Sequence, residues 1–226
     1  MQLTEIVPWG RGLPEYIQMF SLPSTILKSK ILDCAGGPSG FNSTITKLGG
    51  NVVSCDVVYN QTKEELNEKI QGLYSQIKTE IARLKSIHPP EAVKAFEDLN
   101  IMRMAAMNEF LEDYDTGKKT GRYLHAGLPS LPFKDKEFNL ALCSHFLFTY
   151  TDQLSLDFHI ESIKELARVS EVVKIFPLFN IDGTPSSYLN PVIGKLLEEG
   201  YKVDLESVNY LVQEGANQMM VVSNSK

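Results

Sequence analysis

Two acid-tipped stretches and one histidine loop hold the residue types that could do chemistry. Lys30 to Phe41 reads K-I-L-D-C-A-G-G-P-S-G-F: an apolar run (Ile31, Leu32) ends in Asp33 and gives way to a turn of Ala35, Gly36, Gly37, Ser39 and Gly40. Glycines let the main chain turn sharply and approach a ligand that a Cβ would hold off. The helix expected after the turn directs its first free N–H groups at whatever sits there. Asn51 to Asp56 is a second, β-branched run that also ends in an acid. Asp56 lies beyond the glycines at the distance from which an acid reaches the ribose hydroxyls of a bound nucleotide. A strand-ending Asp that caps the next helix is the other reading of that residue. Ser144 and His145 follow a later apolar run, where an open α/β sheet delivers residues to its crevice. An imidazole there suits a general base acting on a hydroxyl or acidic carbon. It could equally hold the loop by hydrogen bonding or simply line a pocket.

The spacing of the glycines separates two kinds of ligand. A dinucleotide site wants G-x-G-x-x-G with a pyrophosphate on the helix end, whereas this turn reads G-G-x-x-G behind an acid. A carboxylate pointing into the crevice repels pyrophosphate, so Asp33 argues for a ligand with positive or hydroxyl groups. S-adenosylmethionine, with a sulfonium, an ammonium and a ribose diol, answers that description. The stretch resembles the first motif of class I S-adenosylmethionine-dependent methyltransferases: Asp33 matches the acid, and Ala35, Gly37 and Ser39 match the small positions, two of the three not being glycine. A second likeness follows at Leu131-Pro132-Phe133, a charged loop, and a strand opening into Ser144-His145-Phe146-Leu147-Phe148. The resemblance implies that Asp33, Ala35, Gly36, Gly37 and Gly40 place the amino-acid half of the cofactor and Asp56 the ribose. Gly127, Leu128 and Ser144 join them, with His145 the candidate catalytic residue. Two departures stand out. Gly127 occupies the position of an acid that commonly holds the adenine amino group, and Asn139 replaces the acid usual before the fourth strand. The N/D-P-P-Y tetrad of amino-methylating nucleic-acid enzymes is absent.

The family likeness implies methyl transfer to a small-molecule acceptor. A non-catalytic S-adenosylmethionine-binding sensor or partner subunit is the alternative, and a dinucleotide oxidoreductase a third reading that Asp33 disfavours. No metal is expected.

The elements that must position these residues can be read in order. Residues 1–29 form a cap segment before the first strand, broken at Pro8, Gly10, Gly12 and Pro14, with a short helical turn at Glu15 to Phe20. Within it Trp9, Arg11 and Tyr16 are candidates to fold over the site, Arg11 pairing with a carboxylate; packing of Trp9 and Tyr16 as simple glue is the plainer alternative. Residues 57–121 far exceed the dozen or so an ordinary crossover needs and read as an inserted helical hairpin. Leu66, Ile70, Leu73, Ile77, Ile81 and Leu84 mark its first helix, His88-Pro89-Pro90 the break, and Glu91 to Tyr114 the second helix, terminated by Asp115-Thr116-Gly117. The hairpin could cap the site or form a homodimer surface, and the Met102, Met104 and Met107 face reads first as core. A third strand is expected at residues 122–126, a fourth ending at Ser144, and a helix over 158–167 with His159 structural and Glu161 and Glu165 facing solvent. A fifth strand spans 171–177 and a helix 187–199. A terminal pair of strands at 201–208 and 218–222, turned at 214–217, must run antiparallel. The expected fold is therefore α/β: a doubly wound, mostly parallel seven-stranded sheet with an antiparallel C-terminal strand and a helical insertion, one domain over 1–226.

Composition narrows the partners. With 226 residues, 43% of them hydrophobic, the chain can bury one sizeable core. A net charge of −6 makes a broad nucleic-acid footprint unexpected, since that needs clustered positive charge. No apolar run is long enough to span a bilayer and the N-terminus lacks a signal-peptide layout, so a cytoplasmic, membrane-free protein is expected. The three cysteines, Cys34, Cys55 and Cys143, form no C-x-x-C pair and read as buried thiols near strand ends.

Overall fold

A computed structural model describes residues 9–210 and 217–224. Each apolar run named above forms a strand: β1 (Lys30–Cys34), β2 (Asn51–Asp56), β3 (Tyr123–His125), β4 (Phe138–Ser144), β5 (Ser170–Phe176), β6 (Tyr201–Ser207) and β7 (Gln218–Asn224). They join in one sheet of order β3-β2-β1-β4-β5-β7-β6, in which only β7 runs against its neighbours. This is the expected doubly wound, mostly parallel α/β sheet with a reversed C-terminal strand. It differs from the dinucleotide-binding order 3-2-1-4-5-6 by the insertion of β7 between β5 and β6. The turn expected at 214–217 falls mostly outside the described residues; at its end the Asn217 carbonyl accepts from the Val208 N–H.

Because β1 to β5 are covered on both faces, their residues alternate between two cores rather than between core and solvent. Leu32, Cys34, Ala141 and Cys143 face α5 (Leu156–Val169) and α6 (Leu189–Glu198). Ile31, Leu140 and Leu142 face the side occupied by α1 (Leu13–Phe20) and α2 (Phe41–Lys47). Each fully buried Leu, Ile or Phe contributes about 2 kcal/mol by leaving water, which fixes the strand register and with it the row of side chains at the sheet's C-terminal edge. Cys34 is paired in register with Cys55 on one side and Cys143 on the other, and all three thiols are buried.

The hairpin of residues 57–121 is α3 (Lys63–Leu84) and α4 (Pro90–Lys119). A reciprocal capping box, Thr62 with Glu65, starts α3. The end of α4 departs from expectation: Asp115-Thr116-Gly117 is helical, and the chain leaves the helix only at Thr120, before Gly121 at φ +76°. Gly117 is there for packing rather than for a stop, since a Cβ would meet the Tyr123 ring at 2.4 Å. That ring belongs to a cluster of Tyr59, Phe110, Tyr114 and Tyr123 that fastens α4 to the sheet edge. Met104 and Met107 are core residues and Met102 is exposed. Glu165 does not face solvent: its Oε1 accepts from the Leu131 N–H, and both oxygens accept from Arg168, clamping the loop before β4. His159 is wholly buried, against the Leu147 carbonyl. Among the described residues no helix is long and apolar enough to cross a membrane.

Candidate functional site

The C-terminal ends of β1, β2 and β4 open into a cavity of about 660 Å³. Its floor is the glycine turn. Ala35 and Gly37 both take positive φ (55° and 52°), which for Ala35 is a strained conformation costing about 1–2 kcal/mol. The strain is held by a bond from the Ala35 N–H to the Cys55 carbonyl at 2.8 Å. Gly36 is compelled differently, because a Cβ there would stand 2.4 Å from Asp33 Oδ2. Tyr59 braces the turn, its hydroxyl donating to the Gly37 carbonyl at 2.7 Å.

Asp56 sits at the rim. Its Oδ2 accepts from the Gly37 N–H and its Oδ1 from the Val58 N–H, each at 2.9 Å. The helix-capping reading of this residue is therefore met, and the same carboxylate lines the cavity with lone pairs to spare. Burial raises its pKa, while the Val58, Gly37 and Val57 N–H groups pull it down.

Asp33 does not face the cavity, which corrects the expectation of a charge pointing into the crevice. It is fully buried below the turn, accepting from Tyr16 Oη at 2.9 Å and Ser54 Oγ at 3.0 Å. Burial pushes its carboxyl up to about 7 against the pull of those two bonds. A residue at a strand tip points to one face or the other, and only the partners at Tyr16 and Ser54 decide which. Gly40 is likewise off the cavity, pressed so close to Ala106 that a Cβ would lie 2.7 Å from its carbonyl oxygen. Nor is the start of α2 open: the Gly40 N–H donates to the Arg11 carbonyl and the Phe41 N–H to Ser39 Oγ. Those two N–H groups are not free for a phosphate. With Asp33 turned away, the case against a dinucleotide rests on the two spent N–H groups at the helix start and on the strand order, since an acid at the position of Asp56 serves the ribose of a dinucleotide equally.

The other expected residues converge. Trp9, Arg11, Tyr16, Ala35, Gly36, Gly37, Asp56, Gly127, Leu128, Ser144 and His145 all line the cavity. Gly127 closes on the β2 side, where a Cβ would lie 2.7 Å from Val57 Cγ1. His145 is held at φ +50° by a bond from its N–H to the Phe176 carbonyl at 2.6 Å, and its Nδ1 meets Ser144 Oγ at 2.9 Å. A non-glycine residue kept in this region at a strand end marks a position that the surroundings over-determine. Burial, followed by the charges of Arg11 and Arg103, depresses its pKa well below that of a free imidazole, so it is neutral.

Four residues with consequences for the site escaped the sequence reading: Glu15, Tyr59, Arg103 and Tyr210. Arg103 comes from α4 and bonds Glu15 through Nε (3.1 Å) and Nη2 (2.9 Å), while Tyr210 Oη donates to the same Glu15 oxygen at 2.6 Å. A signal for Arg103 was present. It stands on the core-facing stripe Asn100, Arg103, Met107, Phe110, Tyr114, where a cation has no place unless something receives it. Glu15 and Tyr210 carry no comparable local mark.

S-adenosylmethionine fits this arrangement. The volume lies within the range of small-molecule pockets. Asp56 offers a carboxylate to a ribose diol, Gly127 and Leu128 a main-chain and apolar wall, and the glycine turn a surface without side chains.

Fold and cavity together define an α/β protein with a cleft of small-molecule size at the carboxyl edge of its sheet. The chain belongs to the family of the uncharacterized protein MJ0045 of Methanocaldococcus jannaschii, to which it is 34% identical over 223 residues, covering 98% of each. No protein-family model matches it. Among solved structures it is similar to the PH0226 protein of Pyrococcus horikoshii (12% identity, 94% of this chain and 87% of that one, TM-score 0.45). It is also similar to a SAM-dependent methyltransferase of Aquifex aeolicus (17% identity, 93% and 92%, TM-score 0.42).

Proposed function

We propose that this protein is an S-adenosylmethionine-dependent methyltransferase acting on a small-molecule acceptor. The observation that supports it most is Asp56, a carboxylate fixed at the tip of β2 by two main-chain N–H groups and turned to a cavity whose floor is a glycine turn. Bound S-adenosylmethionine would supply a methyl group activated by its sulfonium. Asp56 would accept from the ribose hydroxyls, and Gly36 and Gly37 would let the amino-acid half lie on the main chain. Methyl transfer needs an in-line approach, so the chain's main contribution is alignment, an effect worth roughly 7–11 kcal/mol. Leu128, Phe146 and Ile181 supply apolar wall to the cleft. His145, neutral and on the wall, has the lone pair to take a proton from an acceptor hydroxyl whose own acidity is raised as it is methylated.

Calorimetric titration with S-adenosylmethionine, S-adenosylhomocysteine and NAD is the test. Micromolar binding of both sulfur nucleosides and none of NAD is expected; failure of both to bind below millimolar would sink the reading. A labelled-methyl screen over phenols, carboxylates, amines and thiols then asks for turnover. Binding without any methylated product would point instead to a sensor or partner subunit.

A further inference from the structure

The cap segment and α4 place two guanidinium groups at one end of the cavity, and only one of them is neutralised. Glu15 is buried and receives Arg103 through both of its oxygens (3.1 and 3.3 Å to Nε) and Tyr210 through one. Arg11 lies farther off, its Nε 3.9 Å from Glu15, beyond a hydrogen bond. Among the described residues Arg11 donates from Nη1 to the Trp9 carbonyl at 3.1 Å and lies beside the Tyr210 hydroxyl, and its buried Nε has no hydrogen-bond partner. Among the described residues, two cations against one carboxylate leave one positive charge. The groups facing it do not cancel it: His145 is neutral and Tyr210 is a phenol. Trp9 Nε1 and Thr149 Oγ1, on residues of the same cavity, are also buried without partners.

A guanidinium held in a cleft with a donor unspent is costly unless an anion completes it. We infer that Arg11, backed by the Glu15–Arg103–Tyr210 cluster, forms a subsite for a single carboxylate within the cavity. The planar fork of arginine suits the two oxygens of such a group. That carboxylate can come from two sources, the amino-acid end of the sulfur nucleoside or an acidic acceptor. The second would make the acceptor a small organic acid. The subsite rests on the methyltransferase reading only for the identity of its ligand, and it can be tested without that reading.

Two matched pairs of probes are titrated by calorimetry: S-adenosylhomocysteine against its decarboxylated analogue, and benzoate against benzamide. At least one carboxylate member is expected to bind roughly ten- to a hundredfold more tightly than its neutral partner. That preference should be lost in Arg11→Gln and only partly kept in Arg11→Lys, which keeps the charge and loses the planar fork. A preference confined to the nucleoside pair assigns the subsite to the cofactor, and one confined to benzoate assigns it to the acceptor. Equal binding within both pairs overturns the inference, and so does an undiminished preference in Arg11→Gln. The wild-type comparison stands whether or not the variant folds. If neither nucleoside binds, the methyltransferase reading fails while the benzoate pair still decides the subsite.

Discussion

Asp33 and Asp56 grip consecutive glycines of one turn from opposite sides. A Cβ on Gly36 would stand 2.4 Å from Asp33 Oδ2, and Asp56 Oδ2 accepts from the Gly37 N–H at 2.9 Å. The two acids therefore divide the work that both share in the sequence pattern, one supporting the turn from below and one facing the cavity. Asp56→Ala is expected to lose roughly ten- to a hundredfold in nucleoside affinity, the worth of a charge-assisted hydrogen bond. Calorimetry with S-adenosylhomocysteine checks it. An unchanged dissociation constant would mean that the ribose lies elsewhere.

Gly36→Ala puts a methyl group against a carboxyl that has no room to retreat, being fixed by Tyr16 and Ser54. Overpacking of this kind costs about 1–3 kcal/mol, read as a lower urea midpoint with an unchanged m-value. A midpoint equal to that of the wild type would show that the turn is slack and Asp33 is not its support.

Asp33 also sets a pH dependence. Its carboxyl rises from 3.8 to about 7 in the folded chain, chiefly through burial. Below pH 4 both folded and unfolded chains hold the proton, and the contribution of this residue to stability is complete. Between about pH 4 and 7 the folded chain keeps a proton that the unfolded chain has lost, so stability falls as pH rises. Above 7 the loss is finished, of the order of 4 kcal/mol for a shift of about three units. Asp33→Asn removes the titration. Its stability relative to wild type should grow from near zero at pH 4 to several kcal/mol at pH 8 in urea unfolding. A difference that does not vary with pH would show that Asp33 is ionised throughout.

Much of the fold was legible because strands buried on both faces read as short apolar runs, and the reversed terminal pair follows from chain order alone. The cleft was legible where main-chain geometry makes it, at Gly36, Gly37 and Asp56. It was not legible where tertiary partners decide. Asp33 reads the same whether it points up or down, and the direction is settled by Tyr16, seventeen residues earlier, and Ser54 on the neighbouring strand. Arg103 and Tyr210 reach Glu15 across separations of 88 and 195 residues, beyond any local pattern. Gly117 looked like a helix stop because its partner, the Tyr123 ring, lies past the true end of α4.

His145 carries the opposite linkage. Burial, then Arg11 and Arg103, hold its folded pKa well below 6.5. Above 6.5 both states are neutral and its contribution to stability is complete. As pH falls below 6.5 the unfolded chain takes up a proton that the folded chain refuses, and stability declines until the folded pKa is passed. His145→Gln should therefore flatten the acid side of the stability profile while leaving the alkaline side where it was. The same depression bears on catalysis, since an imidazole whose pKa lies well below 6.5 leaves no ionisation near 6.5 in the turnover profile. If His145 is the base, His145→Gln lowers kcat by about 10²–10⁴; if it only lines the wall, kcat holds and KM shifts. An acidic limb near pH 6.5 in the wild-type profile, lost in His145→Gln, would overturn the placement of this ring beside two guanidinium groups.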